Sequence, residues 1–100
     1  MEKYCLKWND FQKNLNSVFG ELREDQDYAD VTLACEDGFI EVHKIVLFAS
    51  SPVLKKLLKK IRTPNPTIYM QGMRAKDIIS IVDFMYYGEV IDIRKILIYF

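Results

Sequence analysis

Two short alternating segments joined by Asp37-Gly38 constrain the fold of this chain more than any other feature. Apolar and polar residues alternate over residues 30–35, and they alternate again over residues 39–43. The doublet between them is a strong hairpin signal, because Asp and Gly tolerate the positive φ angles of tight turns. The pattern predicts a β-hairpin with one apolar face. The residues of that face are Val31, Leu33, Cys35, Ile40 and Val42.

The hairpin leads directly into five consecutive apolar residues, 45–49, which we expect to form a short and fully buried helix. Ser50, Ser51 and Pro52 end this run and supply an N-cap and a first-turn proline for a second helix, which the pattern extends to about Arg62. After the prolines at 64 and 66, residues Thr67–Met70 read as a brief strand.

A third helix is predicted for Arg74–Tyr87, and it is apolar nearly all round, so it should be the most central helix. Gly88 suits the left-handed position that ends a helix. A further strand is predicted from Val90, Ile91 and Ile93.

The N-terminal segment combines an alternating stretch with an amphipathic helix. Residues 4–8 read as a short strand or extended arm, and a helix should run from an N-cap at Asn9 or Asp10 to about Arg23. Its apolar residues form a single stripe that either packs on its own domain or meets a second copy of the chain. The stripe contains Phe11, Leu15, Val18, Phe19 and Leu22.

Composition and motifs argue against several classes of function. Fourteen basic and fourteen acidic side chains give zero net charge, unlike domains whose main task is to grip phosphates. No signal peptide or membrane span is visible, so we expect a soluble intracellular protein. His43 has no triad spacing, and Cys5 and Cys35 lack metal-ligand spacing. We therefore expect no enzyme, no cofactor and no metal, and His43 should be a packed, hydrogen-bonded structural residue.

Two charged features remain. The lysines of the KKLLKK stretch, residues 55–60, are read as the exposed face of an amphipathic helix, although nucleic acid, an acidic partner or an anionic membrane are alternatives. Asp30 and Lys44 each adjoin apolar runs, where charges are rarely buried without a partner. They form either a plain surface pair or a small polar pocket on an apolar contact surface.

The motifs together resemble the BTB/POZ domain. Those that carry the resemblance are Asp30–Leu33, His43–Leu47, Ala49–Pro52 and Phe84–Val90, in family order and spacing over about residues 28–93. The opening YCLKWND, followed by Phe11, Asn14 and Leu15, is similar to the N-terminal signature of the tramtrack/bric-à-brac group of that family. Members of this group are insect nuclear regulators in which the domain precedes a DNA-binding region.

The resemblance implies an α+β fold, a helical cluster flanked by short β-sheets, that acts as a dimerisation or multimerisation domain of a nuclear transcription or chromatin regulator. Its partners would be itself, related BTB domains and co-regulators, with no direct nucleic acid and no membrane. It implies that Asp30 and Lys44 form the family's charged pocket. It assigns these residues to the dimer interface: Tyr4, Leu6, Trp8, Leu15, Val18, Phe19 and Leu22.

The chain departs from the family pattern in three places. Asp10 stands where the signature usually has Asn, and the KKLLKK helix is more basic than is usual in the family. The family continues past the GEV strand with a further helical pair, whereas only a few residues follow that strand here, as expected of a fragment, an isoform or a divergent copy. We therefore expect one domain over residues 1–100, with an N-terminal strand and dimerisation helix (1–27), a core (28–93) and a divergent end (94–100). Alternative functions are a substrate adaptor of a cullin-type ubiquitin ligase and direct nucleic-acid binding through the lysine-rich helix.

Overall fold

The computed structural model describes residues 2–88, and within them the elements follow the predicted order. The predicted strand at Val90, Ile91 and Ile93 and the divergent end at 94–100 lie outside the described residues. The elements are α1 (Phe11–Glu24), β1 (Val31–Cys35), β2 (Gly38–Val42), α2 (Lys44–Ser50), α3 (Pro52–Lys60), β3 (Thr67–Tyr69) and α4 (Ala75–Tyr87).

The strands form one sheet in the order β2-β1-β3. The predicted hairpin is present, with β1 antiparallel to β2 and Cys35 opposite Gly38. β3 returns to pair with the other side of β1 in parallel. The reason given for the turn was wrong: Glu36 and Asp37 form the turn and Gly38 already belongs to β2. Within residues 2–88, positive φ occurs at Asn65, Gly72 and Gly88, not in this turn.

The predicted helix ends are confirmed at two positions. Ser51 caps α3, because its hydroxyl oxygen accepts the Leu54 backbone N–H at 3.3 Å, and Pro52 occupies the first turn. Gly88 ends α4 in the left-handed conformation, with φ 83°, and its N–H donates to the Phe84 carbonyl at 2.8 Å.

Two helices also begin against aspartates that come from the hairpin. Asp30, just before β1, accepts the Lys44 backbone N–H at the start of α2 at 2.7 Å. Asp37, in the turn, accepts the Ala75 backbone N–H at the start of α4 at 2.8 Å. A carboxylate at this position satisfies a free N–H and interacts favourably with the helix dipole. The hairpin therefore fixes where both helices start.

The core lies between the sheet, α2 and α4. α4 contributes five of its buried residues, so the prediction that it is the most central helix is confirmed. The buried apolar side chains are Val31, Leu33, Cys35, Val42, Val46, Leu47, Leu54, Ile68, Met70, Met73, Ile78, Ile81, Val82, Met85 and Tyr86.

The prediction that α2 is fully buried was wrong. Val46 and Leu47 point into the core, but Ile45 is 67% exposed and Phe48 is also exposed. The reason is geometric: successive residues of a helix point in different directions, so a helix that covers the core from one side buries one face only. An uninterrupted apolar run does not reveal that α2 has a second, open face.

Candidate functional site

The N-terminal arm, residues 2–8, forms neither helix nor strand. Its alternating apolar side chains lie in solvent: Tyr4 is 87% exposed, Leu6 is fully exposed and Trp8 is more than half exposed. Trp8 contacts Phe11 edge to face, with ring centroids 5.2 Å apart, which joins the arm to the start of α1. The sequence offered a strand or an extended arm, and within residues 2–88 the arm is extended and pairs with no strand.

α1 is attached to α4 through polar contacts at its C-terminal end. Arg23 pairs with Asp83 at 3.0 Å, and the Tyr87 hydroxyl donates to the Glu24 carboxylate at 3.1 Å. The backbone of α1 at Gly20 passes close to the Tyr87 ring. These contacts hold the helix in place and leave Phe11 and Val18 of its apolar stripe exposed.

The apolar stripe of α1 remains largely open, and α1 contains no buried residue. Only Leu22 packs against the core, while Leu15 and Phe19 are half-buried. Phe11 and Val18 are 48% and 45% exposed. Full burial of a large apolar side chain contributes about 1.5–3 kcal/mol. Burying the exposed apolar groups of the arm and stripe would therefore contribute on the order of 5–10 kcal/mol before the cost of association.

We call this surface the N-terminal apolar face. It comprises the seven predicted interface residues and Phe11. Scattered exposed apolar residues are ordinary on a monomer, but a run of them within a single segment indicates an interaction surface. The Trp8–Phe11 contact joins the arm to the helix, and the assignment of these residues to a dimer interface remains a prediction. The members are Tyr4, Leu6, Trp8, Phe11, Leu15, Val18, Phe19 and Leu22.

The predicted charged pair, Asp30 and Lys44, is brought together at the start of α2, and both residues are half-buried. Their contact runs through the Lys44 backbone N–H rather than through its ammonium group. Asp30 therefore orients α2, a role that the residue types alone did not reveal. The assignment of the two residues to a charged pocket remains a prediction.

Beside this pair lies a buried polar cluster of His43 and Tyr86, each 4% exposed. The Tyr86 hydroxyl accepts the His43 backbone N–H at 2.9 Å and lies 2.6 Å from His43 Nδ1. Burial raises the pKa of Tyr86 above its usual range. His43 is thus a packed residue that is hydrogen-bonded through its backbone N–H and Nδ1, as predicted, while its buried Nε2 has no hydrogen-bond partner among the described residues.

The lysine-rich helix has an aromatic neighbour that sequence reasoning missed. Lys55 and Lys59 of α3 place their Nζ atoms 4.9 and 5.8 Å from the centre of the Phe48 ring. This aromatic residue belongs to α2 and not to α3. No signal in the α3 sequence could have shown this, because the contact depends on how two helices pack.

A small hollow lies between α2 and α3 at this point, and we call it the lysine-framed hollow. Its walls are Lys44, Ile45, Phe48, Leu58 and Lys59, with Lys55 over the Phe48 ring. Cations within about 6 Å of an aromatic face are attracted to it. The hollow therefore combines exposed apolar surface with the ammonium groups of Lys55 and Lys59, and Lys44 is a third lysine in its lining.

No group of metal-binding side chains assembles within residues 2–88. Cys5 is an exposed free thiol and Cys35 a buried one. The Cys35 thiol donates to Asp37 at 3.2 Å, and that bond is the largest cause of the lowered pKa of the Asp37 carboxyl. None of the helices between residues 2 and 88 combines the length and apolarity that crossing a bilayer requires.

Comparison with known proteins places these features in a family. A family model described as BTB/POZ domain matches residues 19–98. The Broad-complex core protein and the tramtrack protein (alpha isoform) of Drosophila melanogaster are 42% and 39% identical to the chain over 89 residues. The match covers 89% of this chain but only 12% and 11% of those two proteins. The chain thus spans about a tenth of the length of these relatives.

The fold is similar to that of a solved BTB domain from human gigaxonin. The two superpose with a TM-score of 0.70 and share 20% of their sequence, over 92% of this chain and 75% of the gigaxonin chain. At that identity the likeness concerns the fold alone. It confirms the predicted α+β architecture of helices with a small sheet.

Proposed function

This chain belongs to the BTB/POZ domain family, and we propose that it acts as a self-association domain of a transcription or chromatin regulator. Domains of this family are non-enzymatic interaction domains that generally self-associate and bind other BTB proteins. The observation that carries the proposal for this chain is the N-terminal apolar face, five of whose eight side chains are exposed in the described fold: Tyr4, Leu6, Trp8, Phe11 and Val18.

A second copy of the chain would cover this face. Leu6 in the arm is fully exposed, and Val18 in α1 is also exposed. Ordering these segments costs conformational entropy, and contact with another molecule would offset that cost by removing their apolar surface from water. Packing two copies through the same face would bury it symmetrically, as two-fold dimers do. The Asp30 and Lys44 pair, close to the start of α2, would then favour the correct partner over others.

The regulatory role rests on the relatives. The Broad-complex and tramtrack proteins are many times longer than this domain, and the resemblance described above places such domains ahead of DNA-binding regions. Self-association would raise the local concentration of attached binding modules, which strengthens apparent affinity by orders of magnitude without any new contact. In this proposal the domain works in the nucleus, binds itself, related BTB domains and co-regulators, and does not itself contact nucleic acid or membrane.

Substitution of Val18 tests the interface. Val18 is 45% exposed on α1, so Val18→Lys should leave folding intact while placing a charge in the N-terminal apolar face. Val53→Lys is the matched control, because Val53 is 53% exposed on α3, outside that face. At equal concentration in the analytical ultracentrifuge, Val18→Lys should sediment toward the 11.8 kDa monomer while Val53→Lys sediments like the parent. If Val18→Lys self-associates as the parent does, the proposed interface is wrong.

A further inference from the structure

We propose that the lysine-framed hollow between α2 and α3 is a docking site for an acidic, amphipathic segment of a partner protein. The proposal does not depend on self-association, because it concerns a different surface from the N-terminal apolar face. It follows from the charge, the exposed apolar groups and the arrangement of the lysines around them.

The charge around the hollow contrasts with that of the whole chain. The chain as a whole is neutral, yet α3 carries four lysines and no acidic residue, and Lys44 adds a fifth from α2. Lys55 and Lys59 are brought to the same aromatic ring. Neighbouring ammonium groups repel each other, and a carboxylate placed between them relieves that repulsion. The charge of the site therefore selects an acidic partner.

Apolar surface lies beside these charges. Ile45, which is 67% exposed, lines the hollow together with Phe48 and Leu58. An aromatic or branched side chain of a partner would bury this surface, while acidic residues on either side would reach Lys55 and Lys59. An amphipathic helix presents this combination when its apolar residues recur at i, i+3 and i+4 and acidic residues flank the apolar stripe.

The same lysines could contact a nucleic acid, but the apolar groups favour a peptide. Duplex DNA would set its phosphates against Ile45 and Phe48, which offer them neither charge nor a hydrogen bond. An acidic, amphipathic peptide would match both the lysine ammonium groups and the exposed apolar surface of the hollow. DNA binding is therefore an outcome of the test that would contradict the proposal.

The test uses the full chain and a fluorescein-labelled synthetic peptide of about four helical turns. The peptide carries Leu and Phe at i, i+3, i+4 and i+7, with Glu and Asp at the remaining positions, and a scrambled peptide of equal composition is its control. Fluorescence anisotropy should show saturable binding of the amphipathic peptide and weaker binding of the scrambled one. The Lys55→Glu/Lys59→Glu double variant should bind about tenfold more weakly, which corresponds to the loss of two partly exposed ion pairs.

Lys13→Glu/Lys76→Glu is the matched control, because it makes the same change in net charge at exposed lysines of α1 and α4. It should bind as the parent does, and so should Val18→Lys, which separates this proposal from the self-association proposal. No binding by the parent, equal loss in both double variants, or tighter binding of duplex DNA with the same lysine dependence would each overturn it. Binding by Val18→Lys but not by the parent would show that a second copy covers the hollow, and that result would overturn it too.

Discussion

Removing the Tyr86 hydroxyl should destabilise the domain far more than removing the hydroxyl of its neighbour Tyr87. Tyr86 and Tyr87 are consecutive residues of α4, and each hydroxyl makes a hydrogen bond to a residue distant in sequence. They differ in burial: Tyr86 is 4% exposed and Tyr87 is 47% exposed. The pair therefore compares a buried hydroxyl that serves two groups of His43 with an exposed hydroxyl that serves one carboxylate in the same helix.

The expected magnitude follows from the groups left behind. In Tyr86→Phe, the His43 backbone N–H and His43 Nδ1 both lose the hydroxyl, which lies 2.9 and 2.6 Å from them. His43 is buried and water cannot replace the lost partner without entering the core. An unsatisfied buried polar group costs about 1–3 kcal/mol, so Tyr86→Phe should lower the free energy of unfolding by about 2–3 kcal/mol. In Tyr87→Phe, water can solvate the Glu24 carboxylate, and the loss should be about 0.5 kcal/mol.

Urea unfolding followed by far-ultraviolet circular dichroism is the suitable assay. Trp8 is a poor reporter because it lies in the exposed arm, away from the core. All proteins must be compared at one concentration, since self-association adds to apparent stability. In a thermal scan, each kcal/mol should shift Tm by about 4–8 °C for a domain of this size.

Equal destabilisation by the two substitutions would refute this reasoning. It would mean that His43 finds another partner or that the cluster is solvated. A loss below about 0.5 kcal/mol in Tyr86→Phe would have the same meaning, because surface substitutions commonly reach that size.

Three further outcomes are expected. Burial keeps the Tyr86 phenol neutral and raises its pKa in the folded state. The free energy of unfolding should therefore keep the full contribution of this phenol below pH about 10 and lose it progressively above that pH. In urea titrations, the difference in that free energy between the parent and Tyr86→Phe should narrow above pH about 10. Asp30→Asn keeps an oxygen for the Lys44 N–H but loses the charge, so circular dichroism should change little while sedimentation shifts toward monomer; unchanged sedimentation contradicts the pairing role. Gly88→Ala should cost about 1 kcal/mol by urea unfolding, because φ is 83° there, and a neutral result contradicts this.

The local signals in the sequence predicted most of the fold within residues 2–88. The alternating pattern predicted that Val31 and Leu33 share one face of the strand, and both are buried in the core. The pattern also fixes the register of the strand, because a shift of one residue would turn this apolar face toward solvent. Ser51 and Gly88 mark helix ends because their chemistry acts on neighbouring residues. Such features depend on a few consecutive residues, which is why they can be read from a single chain.

The features that the sequence did not reveal depend on residues far apart. Asp37 meets Ala75 across 38 positions, and Tyr86 meets His43 across 43. Phe48 lies under the lysines of α3 because α2 and α3 pack side by side. Neither spacing nor periodicity encodes these contacts.

The N-terminal apolar face stays a prediction for a different reason. The stripe from Phe11 to Leu22 is plain in the sequence, but two explanations were open, packing on the chain itself or on a second copy. The described fold removes much of the first explanation, because only Leu22 reaches the core. The second explanation remains a proposal, since a single chain contains no partner.

Molecular mass measured over a concentration series tests the central claim most directly. Sedimentation equilibrium of the parent chain from nanomolar to high micromolar concentration would report the mass of the dominant species. We expect a mass at least twice the 11.8 kDa of one chain at micromolar concentration. A folded chain that keeps the mass of one copy over the whole series would contradict the account.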